Sequence, residues 1–351
     1  ADQLKTLIAK ALVLKRQELH LTASFGIATF PRDGKTSDEL LQCADAAMYR
    51  AKQAGRDGYC FYSQELHQLA KDRVLMKHDL HSAIANREFD LHYQPIINAN
   101  NWRCEKAEAL IRWQHPVKGN VPPMDFIPVA EELGLISLIG QWVLWETCRQ
   151  LAEWKEQSTS NHTPVISVNL SGRQLQQSEL PSYIYETVQG FGLSCSDLEF
   201  EVTETHLMSD LKQSIEVLDA IIEMGCGIAI DDFGTGYSSF RHLQRLPKQT
   251  LKIDRSFVSG MEEDGEDSAL VNAMIDMAKI LKLKTVAEGV ETEAQRDKLC
   301  LMGCDYLQGY FFSKPLPKDQ FFNYFMRRDI PPDLFPRKKK NETGQGDSFR
   351  I

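Results

Sequence analysis

The 351-residue chain lacks any uninterrupted apolar run of the roughly 18 residues that would suggest a membrane span. Its most apolar stretch, residues 134–145, is short and contains Gln141, so it predicts a buried helix. No charged-then-apolar leader opens the sequence, and no secretion signal is expected. Positively charged residues are also fewer than negatively charged ones. The chain has 40 Lys and Arg against 49 Asp and Glu, which gives a formal net charge of −9. A nucleic acid polymer is therefore not expected as a partner.

Paired cysteines are missing as well. The eight cysteines are scattered and form no Cys-x-x-Cys motif, a pattern typical of reduced, buried thiols in a cytoplasm. Cys300 and Cys304 lie one helical turn apart, but a zinc site needs more ligands than these two. We expect a cytoplasmic protein. Whether a longer protein carries an upstream sensor or a membrane anchor stays open.

The first 62 residues predict a small α/β piece. A β-branched and aromatic run at residues 23–30 predicts a strand, and Thr36 or Ser37 can cap the helix that follows. Residues 59–62 predict a second strand. So few elements cannot bury a sizeable core, which indicates the second half of an α/β domain.

Two further segments flank the regular part of the chain. Residues 63–87 place apolar residues among many charges and predict a linker helix. Residues 329–351 are rich in proline, then basic, then polar, and predict a disordered tail.

Between these segments, strand-like runs alternate with long helical patterns. The runs are residues 89–96, 105–113, 165–170, 198–203, 227–231, 250–253, 284–288 and 304–308. Eight strands interleaved with helices over about 240 residues predict an α/β fold of the (β/α)8 barrel type across residues 88–328. The alternative is an open doubly wound sheet, but no Gly-x-Gly-x-x-Gly motif follows the first strand.

Polar side chains gather at the predicted strand ends, which form the active face of such a barrel. They are Asn169, Glu201, Glu204, Asp231, Asp232, Lys252, Asp254, Glu288, Glu291 and Gln308, with Glu108 inside the second strand. So many carboxylates repel one another and need a counter-charge, of which a pair of divalent metal ions is the simplest. Because the set offers oxygen donors without histidine or cysteine, it favours Mg²⁺ or Mn²⁺ over Zn²⁺.

The second predicted strand can serve both a metal and a phosphate. Glu108, Leu110 and Arg112 alternate and therefore share one face. Glu108 can bind a metal ion, while the planar guanidinium of Arg112 meets a substrate phosphate.

Two other strand ends add to this chemistry. Asp231 and Asp232 are adjacent, so we expect their side chains to diverge, with one carboxylate bridging two metal ions and the other binding the second ion. Lys252 either orients the attacking water and neutralises developing charge, or is an ordinary exposed lysine at a strand end.

A glycine-rich segment follows these aspartates. Residues 231–239 read DDFGTGYSS, in which two glycines let the backbone bend sharply and pass close to a ligand. The pattern predicts a mobile active-site loop that Glu204 can anchor by hydrogen bonds. The alternative is a plain turn before a helix capped by Ser238.

Together the motifs resemble the EAL family of bacterial cyclic di-GMP phosphodiesterases. The matching segments are YQPI at 93–96, EALIRW at 108–113, VNLS at 168–171, EVTE at 201–204, DDFGTGYSS at 231–239, KID at 252–254, AEGVE at 287–291 and LQGYFFSKP at 307–315. Residues 20–62 resemble the C-terminal half of a GGDEF diguanylate cyclase domain, through SFGIA, ADAAMYRAKQAGR and GRDGY. The GGDEF signature itself is absent, so this piece is not expected to synthesise cyclic di-GMP.

The EAL resemblance implies a barrel with an antiparallel first strand that hydrolyses cyclic di-GMP to linear pGpG with two Mg²⁺ or Mn²⁺ ions. It implies two ligand sets, Glu108, Asn169, Glu201 and Asp231 for one ion, and Asp231, Asp232 and Glu288 for the other. Glu288 is also the candidate general base, and whether it abstracts a proton or only binds metal stays open. Lys252 would position the nucleophilic water. Ca²⁺, which is larger and less demanding in geometry, is expected to bind and to inhibit.

The resemblance also implies contacts for the substrate and for the loop. The substrate positions are Gln94, Leu110, Arg112, Asp254 and Gln308. Glu204, with Glu291 in the same network, would stabilise the glycine-rich loop, which joins the site to the interface of a homodimer.

Two other functions remain possible on the sequence. A non-hydrolytic cyclic di-GMP receptor or protein-interaction module would bind without turnover, but the complete ligand set favours hydrolysis. A glycosidase on a similar barrel would use two catalytic carboxylates and leaves Asn169 and Lys252 without a role.

Overall fold

The structure is a computed structural model. It describes residue 4 and residues 12–14, 17–19, 22–53, 58–158, 163–204, 211–234, 249–261 and 265–326. The chain divides into two compact units, residues 1–85 and 86–351. The predicted tail, residues 329–351, lies outside the described residues.

The first unit is a small α/β piece. Its elements are β1 (Leu12–Leu14), β2 (Gln17–Leu19), β3 (Phe25–Ile27), α1 (Ser37–Gln53), β4 (Tyr59–Phe61) and the long helix α2 (Gln64–Asn86). β3 and β4 pair in parallel, as expected for two strands joined by a crossover helix. β3 is shorter than the predicted run 23–30, because β4 pairs with it over three residues. The antiparallel hairpin of β1 and β2 was not predicted.

The second unit alternates strands and helices. Its strands are β5 (Phe89–Asn98), β6 (Cys104–His115), β7 (Gly119–Val121), β8 (Val165–Leu170), β9 (Leu198–Thr203), β10 (Gly227–Phe233), β11 (Thr250–Ile253), β12 (Lys284–Ala287), β13 (Tyr306–Leu307) and β14 (Leu316–Pro317). Its helices are α3 (Pro123–Leu133), α4 (Ile136–Gln157), α5 (Gly172–Leu175), α6 (Leu180–Gly190), α7 (Leu211–Glu223), α8 (Arg255–Gly260), α9 (Gly265–Ile280), α10 (Glu293–Met302) and α11 (Lys318–Met326). Within the described residues, no helix is long and apolar enough to span a bilayer.

These strands close into a barrel. The sheet order is β14-β5-β13-β12-β11-β10-β9-β8-β6-β7, and an additional pairing of β5 with β6 completes the ring. β5 runs antiparallel to both of its ring neighbours, β6 and β13, whereas the other ring neighbours are parallel. The short strands β7 and β14 add antiparallel edges to β6 and β5. The predicted (β/α)8 barrel with an antiparallel first strand is confirmed.

The last predicted strand of the barrel is longer than the observed one. The run 304–308 contains β13, which covers residues 306–307. Asp305 lies outside it, and its backbone N–H donates to the Thr285 hydroxyl at 3.0 Å instead of to a backbone carbonyl of a neighbouring strand. Its Oδ2 accepts from the backbone N–H of Thr285 at 3.0 Å and from the Thr285 hydroxyl at 3.1 Å.

Successive side chains of β5 point alternately towards the outer helices and into the barrel interior. Tyr93, 1% exposed, packs its ring 4.9 Å from that of Trp154 on α4 and 5.6 Å from that of Phe321 on α11. Burying each such large apolar side chain contributes roughly 1.5–3 kcal/mol. Because strand residues alternate, the next residue, Gln94, points the other way, into the barrel.

Candidate active site

One mouth of the barrel holds a cluster of charged and amide side chains. Most of them come from the carboxyl ends of parallel strands, and Glu108 comes from the middle of β6. We call this set the acidic cluster; its members are Glu108, Asn169, Glu201, Asp231, Asp232, Lys252 and Glu288. The structure therefore brings together all the residues predicted as metal ligands.

Lys252 is the centre of the acidic cluster. Its side chain ends among four carboxylates, with Nζ 2.5 Å from Glu288 Oε1, 2.6 Å from Glu201 Oε2, 3.3 Å from Asp231 Oδ1 and 3.5 Å from Glu108 Oε2. Burial disfavours the ammonium, but the four carboxylates outweigh it and raise the pKa of Lys252 well above its usual value. The residue is 1% exposed, which rules out the ordinary exposed lysine considered from the sequence.

Glu108 is held as a charged carboxylate. Its Oε1 accepts from Asn169 Nδ2 at 2.8 Å, and its Oε2 accepts from Gln308 Nε2 at 2.8 Å. Burial alone would raise the pKa of Glu108, but the ammonium of Lys252 and these donors lower it below its ordinary value. An anionic oxygen therefore faces the mouth without needing a metal ion to ionise it.

The pKa values of two other glutamates are raised instead of lowered. Burial, reinforced by the negative charge of Glu108 and opposed by Lys252, raises the pKa of Glu201 well above its ordinary value. Burial likewise raises the pKa of Glu288 to about 8, against the pull of Lys252. Glu201 Oε1 is buried and has no hydrogen-bond partner among the described residues. An orphaned carboxylate oxygen is costly in an apolar core, and a cation is the partner that it fits.

Asp231 and Asp232 were expected to diverge, as neighbours on a regular strand do. Instead, the register of β10 against β11 shifts between Ile230 and Phe233, and Asp232 adopts a left-handed backbone with φ of 52°. Both carboxylates thereby join Glu288, with one ligand oxygen from each residue lying within 4.8 Å of the others. Burial, and then the neighbouring Asp231, raises the pKa of Asp232.

Three predicted substrate positions, Gln94, Leu110 and Arg112, lie on the wall formed by β5 and β6, and a fourth, Gln308, directly follows β13, the strand beside β5. Gln94 lies opposite Glu108 in the register of these strands. Gln308 is 3% exposed; its Nε2 also lies 3.3 Å from Gln94 Oε1, and its Oε1 is buried without a partner among the described residues. Leu110 and Arg112 follow along β6, each partly exposed. The wall thus offers amide, apolar and guanidinium groups beside the carboxylates.

Two other predicted residues directly follow strands that end at the mouth. Asp254 caps α8, where its Oδ1 accepts from the backbone N–H of Ser256 at 3.0 Å. Glu204 is 3% exposed and accepts from the backbone N–H of Gly234 at 3.3 Å, at the start of the glycine-rich segment. The rest of that segment, residues 235–239, lies outside the described residues.

Glu291 is exposed, and its described contact belongs to a helix start. Its backbone N–H donates to Gln295 Oε1 at 2.8 Å, beside the capping box of α10. Its predicted network with Glu204 stays a prediction.

A second polar cluster lies inside the barrel and was not predicted. We call it the base cluster; its members are Lys106, Ser167, Glu199 and Thr250. Each stands two residues before a member of the acidic cluster on the same strand. The period-two alternation of strands was a signal that could have found it, because residues i and i+2 share a face.

Residues 77–315, more than half of the chain, match the EAL domain. The chain belongs to the EAL domain family. Residues 1–58 match the diguanylate cyclase GGDEF domain, so the EAL domain follows a partial GGDEF region.

Two named relatives are longer proteins than this chain. The bifunctional diguanylate cyclase/cyclic di-GMP phosphodiesterase MucR of Pseudomonas aeruginosa is 43% identical over 320 residues, which cover 91% of this chain and 46% of MucR. The cyclic di-GMP phosphodiesterase NbdA of the same species is 37% identical over 336 residues, which cover 95% of this chain and 42% of NbdA. The chain therefore spans less than half the length of these two relatives.

A solved structure supports the assignment of the barrel. The PaMucR phosphodiesterase in complex with c-di-GMP is 43% identical and superimposes with a TM-score of 0.67. The match covers 70% of this chain and 99% of that one. The EAL domain described above is therefore close in fold to one that holds this nucleotide.

Proposed function

We propose that this chain is a metal-dependent phosphodiesterase that hydrolyses cyclic di-GMP to linear pGpG and so controls the level of a bacterial second messenger. The observation that carries the proposal is the complete acidic cluster in an EAL domain. Four carboxylates contact one buried lysine there, and a fifth, that of Asp232, lies close to those of Asp231 and Glu288. Relatives named as cyclic di-GMP phosphodiesterases share the family.

The acidic cluster fits a pair of Mg²⁺ or Mn²⁺ ions. Its donors are carboxylate and amide oxygens, which hard divalent cations prefer. The orphaned Oε1 of Glu201 and the three close carboxylates of Asp231, Asp232 and Glu288 support the same assignment. Glu108, Asn169, Glu201 and Asp231 would hold one ion, and Asp231, Asp232 and Glu288 the other. When bound, such a pair lowers the pKa of water and neutralises charge on the phosphate.

The residues of the chain supply the remaining steps. The Lys252 ammonium orients the attacking water and neutralises charge that develops on the phosphate. Glu288, whose pKa is raised to about 8, accepts the proton that this water loses, or it serves as a ligand alone. Arg112 binds a phosphate of the nucleotide. Gln94 and Gln308 present amide groups to the substrate.

Leu110 and Asp254 complete the substrate site, and Glu204 with Glu291 stabilises the glycine-rich loop. The chain comprises a partial GGDEF-like piece (1–62), a linker helix (63–87), the EAL barrel (88–328) and a tail (329–351). It acts as a homodimer through the barrel, and a longer protein adds an upstream sensor or membrane region. Light scattering at several protein concentrations tests the dimer; a single monomeric mass would contradict it.

The central experiment mixes the purified chain with cyclic di-GMP and Mg²⁺ or Mn²⁺ and follows pGpG by chromatography. We expect linear product with either ion, little with Ca²⁺ and none with a chelator. Glu108→Ala and Asp231→Ala should each abolish turnover while the protein stays folded. Glu186→Ala, which removes an exposed carboxylate on α6, is the matched control and should retain full activity.

Binding without product would favour the alternative, a non-hydrolytic cyclic di-GMP receptor. Calorimetry with cyclic di-GMP in Ca²⁺ separates the two functions, because it reports binding when chemistry is slow. Tight binding together with no pGpG under any metal would overturn the phosphodiesterase and retain the receptor.

A further inference from the structure

The base cluster lies one layer below the acidic cluster, inside the barrel. Glu199 is its hub and is 4% exposed. Both carboxylate oxygens of Glu199 lie 3.0 Å from Lys106 Nζ. Its Oε1 also accepts from the Thr250 hydroxyl at 2.6 Å, and its Oε2 from the Ser167 hydroxyl at 3.2 Å. Every oxygen of this buried carboxylate is therefore engaged.

The base cluster supports the strands that carry the acidic cluster. The two layers correspond residue by residue: Lys106 and Glu108 on β6, Ser167 and Asn169 on β8, Glu199 and Glu201 on β9, Thr250 and Lys252 on β11. Residues two apart on a strand project from the same face, about 6.6–6.8 Å apart along the strand. A shift of any of these strands at the lower layer therefore moves a member of the acidic cluster.

Two contacts of Glu199 join strands that are not neighbours in the sheet, whereas its bond with Ser167 joins the adjacent strands β8 and β9. Its contact with Lys106 joins β9 to β6, although β8 lies between those strands. Its contact with Thr250 joins β9 to β11, although β10 lies between them. Backbone ladders join neighbouring strands, so side-chain bonds of this kind are what tie strands that are not adjacent.

The upper layer needs such a tie. Its carboxylates outnumber its single ammonium and repel one another, so their spacing would change with the charge at the mouth. The base cluster pairs one carboxylate with one ammonium and carries no such imbalance. Barrel interiors are usually filled with apolar residues, and a buried ion pair contributes little net stability over apolar packing. Stability alone is therefore a poor explanation for this pair.

We propose that Glu199 is a positioning residue, which fixes the spacing of the acidic cluster one layer above and thereby sets the affinity of the barrel for divalent cations. The inference rests on the proposed metal site. Glu199 acts through the strands and touches neither substrate nor cation.

The test is the variant Glu199→Gln, which keeps the shape of the side chain and places an amide N–H₂ against the donors of Lys106 or Thr250. Mn²⁺ affinity is measured on the full chain by electron paramagnetic resonance without nucleotide. We expect an affinity lower by about tenfold or more, as is usual when groups that orient metal ligands are removed. At saturating Mn²⁺, kcat should fall while KM for cyclic di-GMP stays near the wild-type value.

Two further variants keep the inference falsifiable. Val188→Ala removes a fully buried side chain on the outer helix α6, so it lowers stability without touching the barrel interior. It should leave Mn²⁺ affinity unchanged even where its melting temperature falls below that of Glu199→Gln. Thr250→Val removes one bond to Glu199 and should weaken Mn²⁺ binding less than Glu199→Gln does. If Glu199→Gln does not fold, the Mn²⁺ affinity of Thr250→Val tests the role of the base cluster.

The contrary result is a loss of melting temperature in Glu199→Gln and Thr250→Val with wild-type Mn²⁺ affinity, which would reduce the base cluster to a structural ion pair. The readout is independent of turnover. If the wild-type chain binds Mn²⁺ but makes no pGpG, the proposed function is wrong. The comparison of Mn²⁺ affinity between the wild-type chain and Glu199→Gln still tests the role of Glu199.

Discussion

At the scale of single residues, charge balance around Lys252 governs the site. One buried ammonium contacts four carboxylates, and these carboxylates differ in how readily they ionise. The pKa of Glu108 is lowered, whereas the pKa values of Glu201 and Glu288 are raised. In the proposed metal site, protons and cations compete for the same oxygens, so we expect both the stability of the chain and its metal affinity to depend on this competition.

Removal of the Lys252 charge should destabilise the metal-free protein. We expect Lys252→Met to lower its free energy of unfolding by about 3–5 kcal/mol, because the variant leaves buried carboxylates without their counter-charge. Mg²⁺ should restore part of this loss, and turnover should be abolished. Urea unfolding with chelator and with Mg²⁺ measures both effects.

Lys284→Met is the matched control for that experiment. The Lys284 ammonium pairs with Asp305 Oδ1 at 2.7 Å, but its side chain is 62% exposed. Such a surface pair contributes at most about 1 kcal/mol. Equal losses of unfolding free energy in Lys252→Met and Lys284→Met would show that burial of the Lys252 charge does not add to its effect on stability.

Stability of the metal-free protein should fall as pH rises. Burial raises the pKa of Glu288 from 4.5 to about 8, with Lys252 opposing the shift. Between these values the folded chain holds a proton that the unfolded chain has lost, so a rise in pH favours unfolding. Urea unfolding with chelator, from about pH 5 to about pH 8, measures this slope. Glu288→Gln should flatten it, and an unchanged slope in that variant would contradict the assignment.

At the scale of elements, the segments that follow the strands aim the carboxylates. β10 needs a register shift and a left-handed Asp232 to turn two adjacent aspartates towards Glu288. β12 ends at Ala287, so Glu288 follows it directly, and Gly289 comes next with φ of 67°. Added there, a Cβ atom would overlap the Cβ of Arg255 on α8. The position of Glu288 therefore depends on a residue without a side chain.

Gly289→Ala should abolish most turnover, since relief of the overlap displaces Glu288. Gly119→Ala is its control: Gly119 has φ of 70°, and nothing lies within 4 Å of an added Cβ. Both variants should lose about 1–2 kcal/mol from left-handed strain. Only Gly289→Ala should lose activity, as measured by kcat beside thermal unfolding. Comparable turnover in the two variants would contradict the steric argument.

At the scale of the whole molecule, closure of the sheet is local to the second unit. The ten strands of that sheet lie between Phe89 and Pro317, and the described strands of the first unit form two separate sheets. β5 closes the ring by pairing with β6 on one side and β13 on the other. Every member of the acidic cluster thus depends on strands of one unit.

A chain of residues 63–351 should keep wild-type turnover and cooperative thermal unfolding, because it retains every strand of the ring. A chain of residues 104–351 lacks β5, leaves β6 and β13 unpaired on one side, and should not fold. Circular dichroism and the pGpG assay distinguish the two. A folded but inactive 63–351 chain would show instead that the first unit contributes to catalysis.

Local residue patterns predict the alternation of strands and helices, so the sequence by itself determined the barrel and the order of its strands. The carboxylates at strand ends were predictable for the same reason, since parallel strands bring their carboxyl ends to one edge. What the tertiary structure alone decided are contacts across the lumen. Lys252 pairs with four carboxylates that are distant in the chain, and Glu199 pairs with the distant Lys106. The left-handed backbone of Asp232, which turns its carboxylate towards Glu288, is likewise visible only in the folded chain. No local pattern specifies which buried charges will meet once the barrel closes.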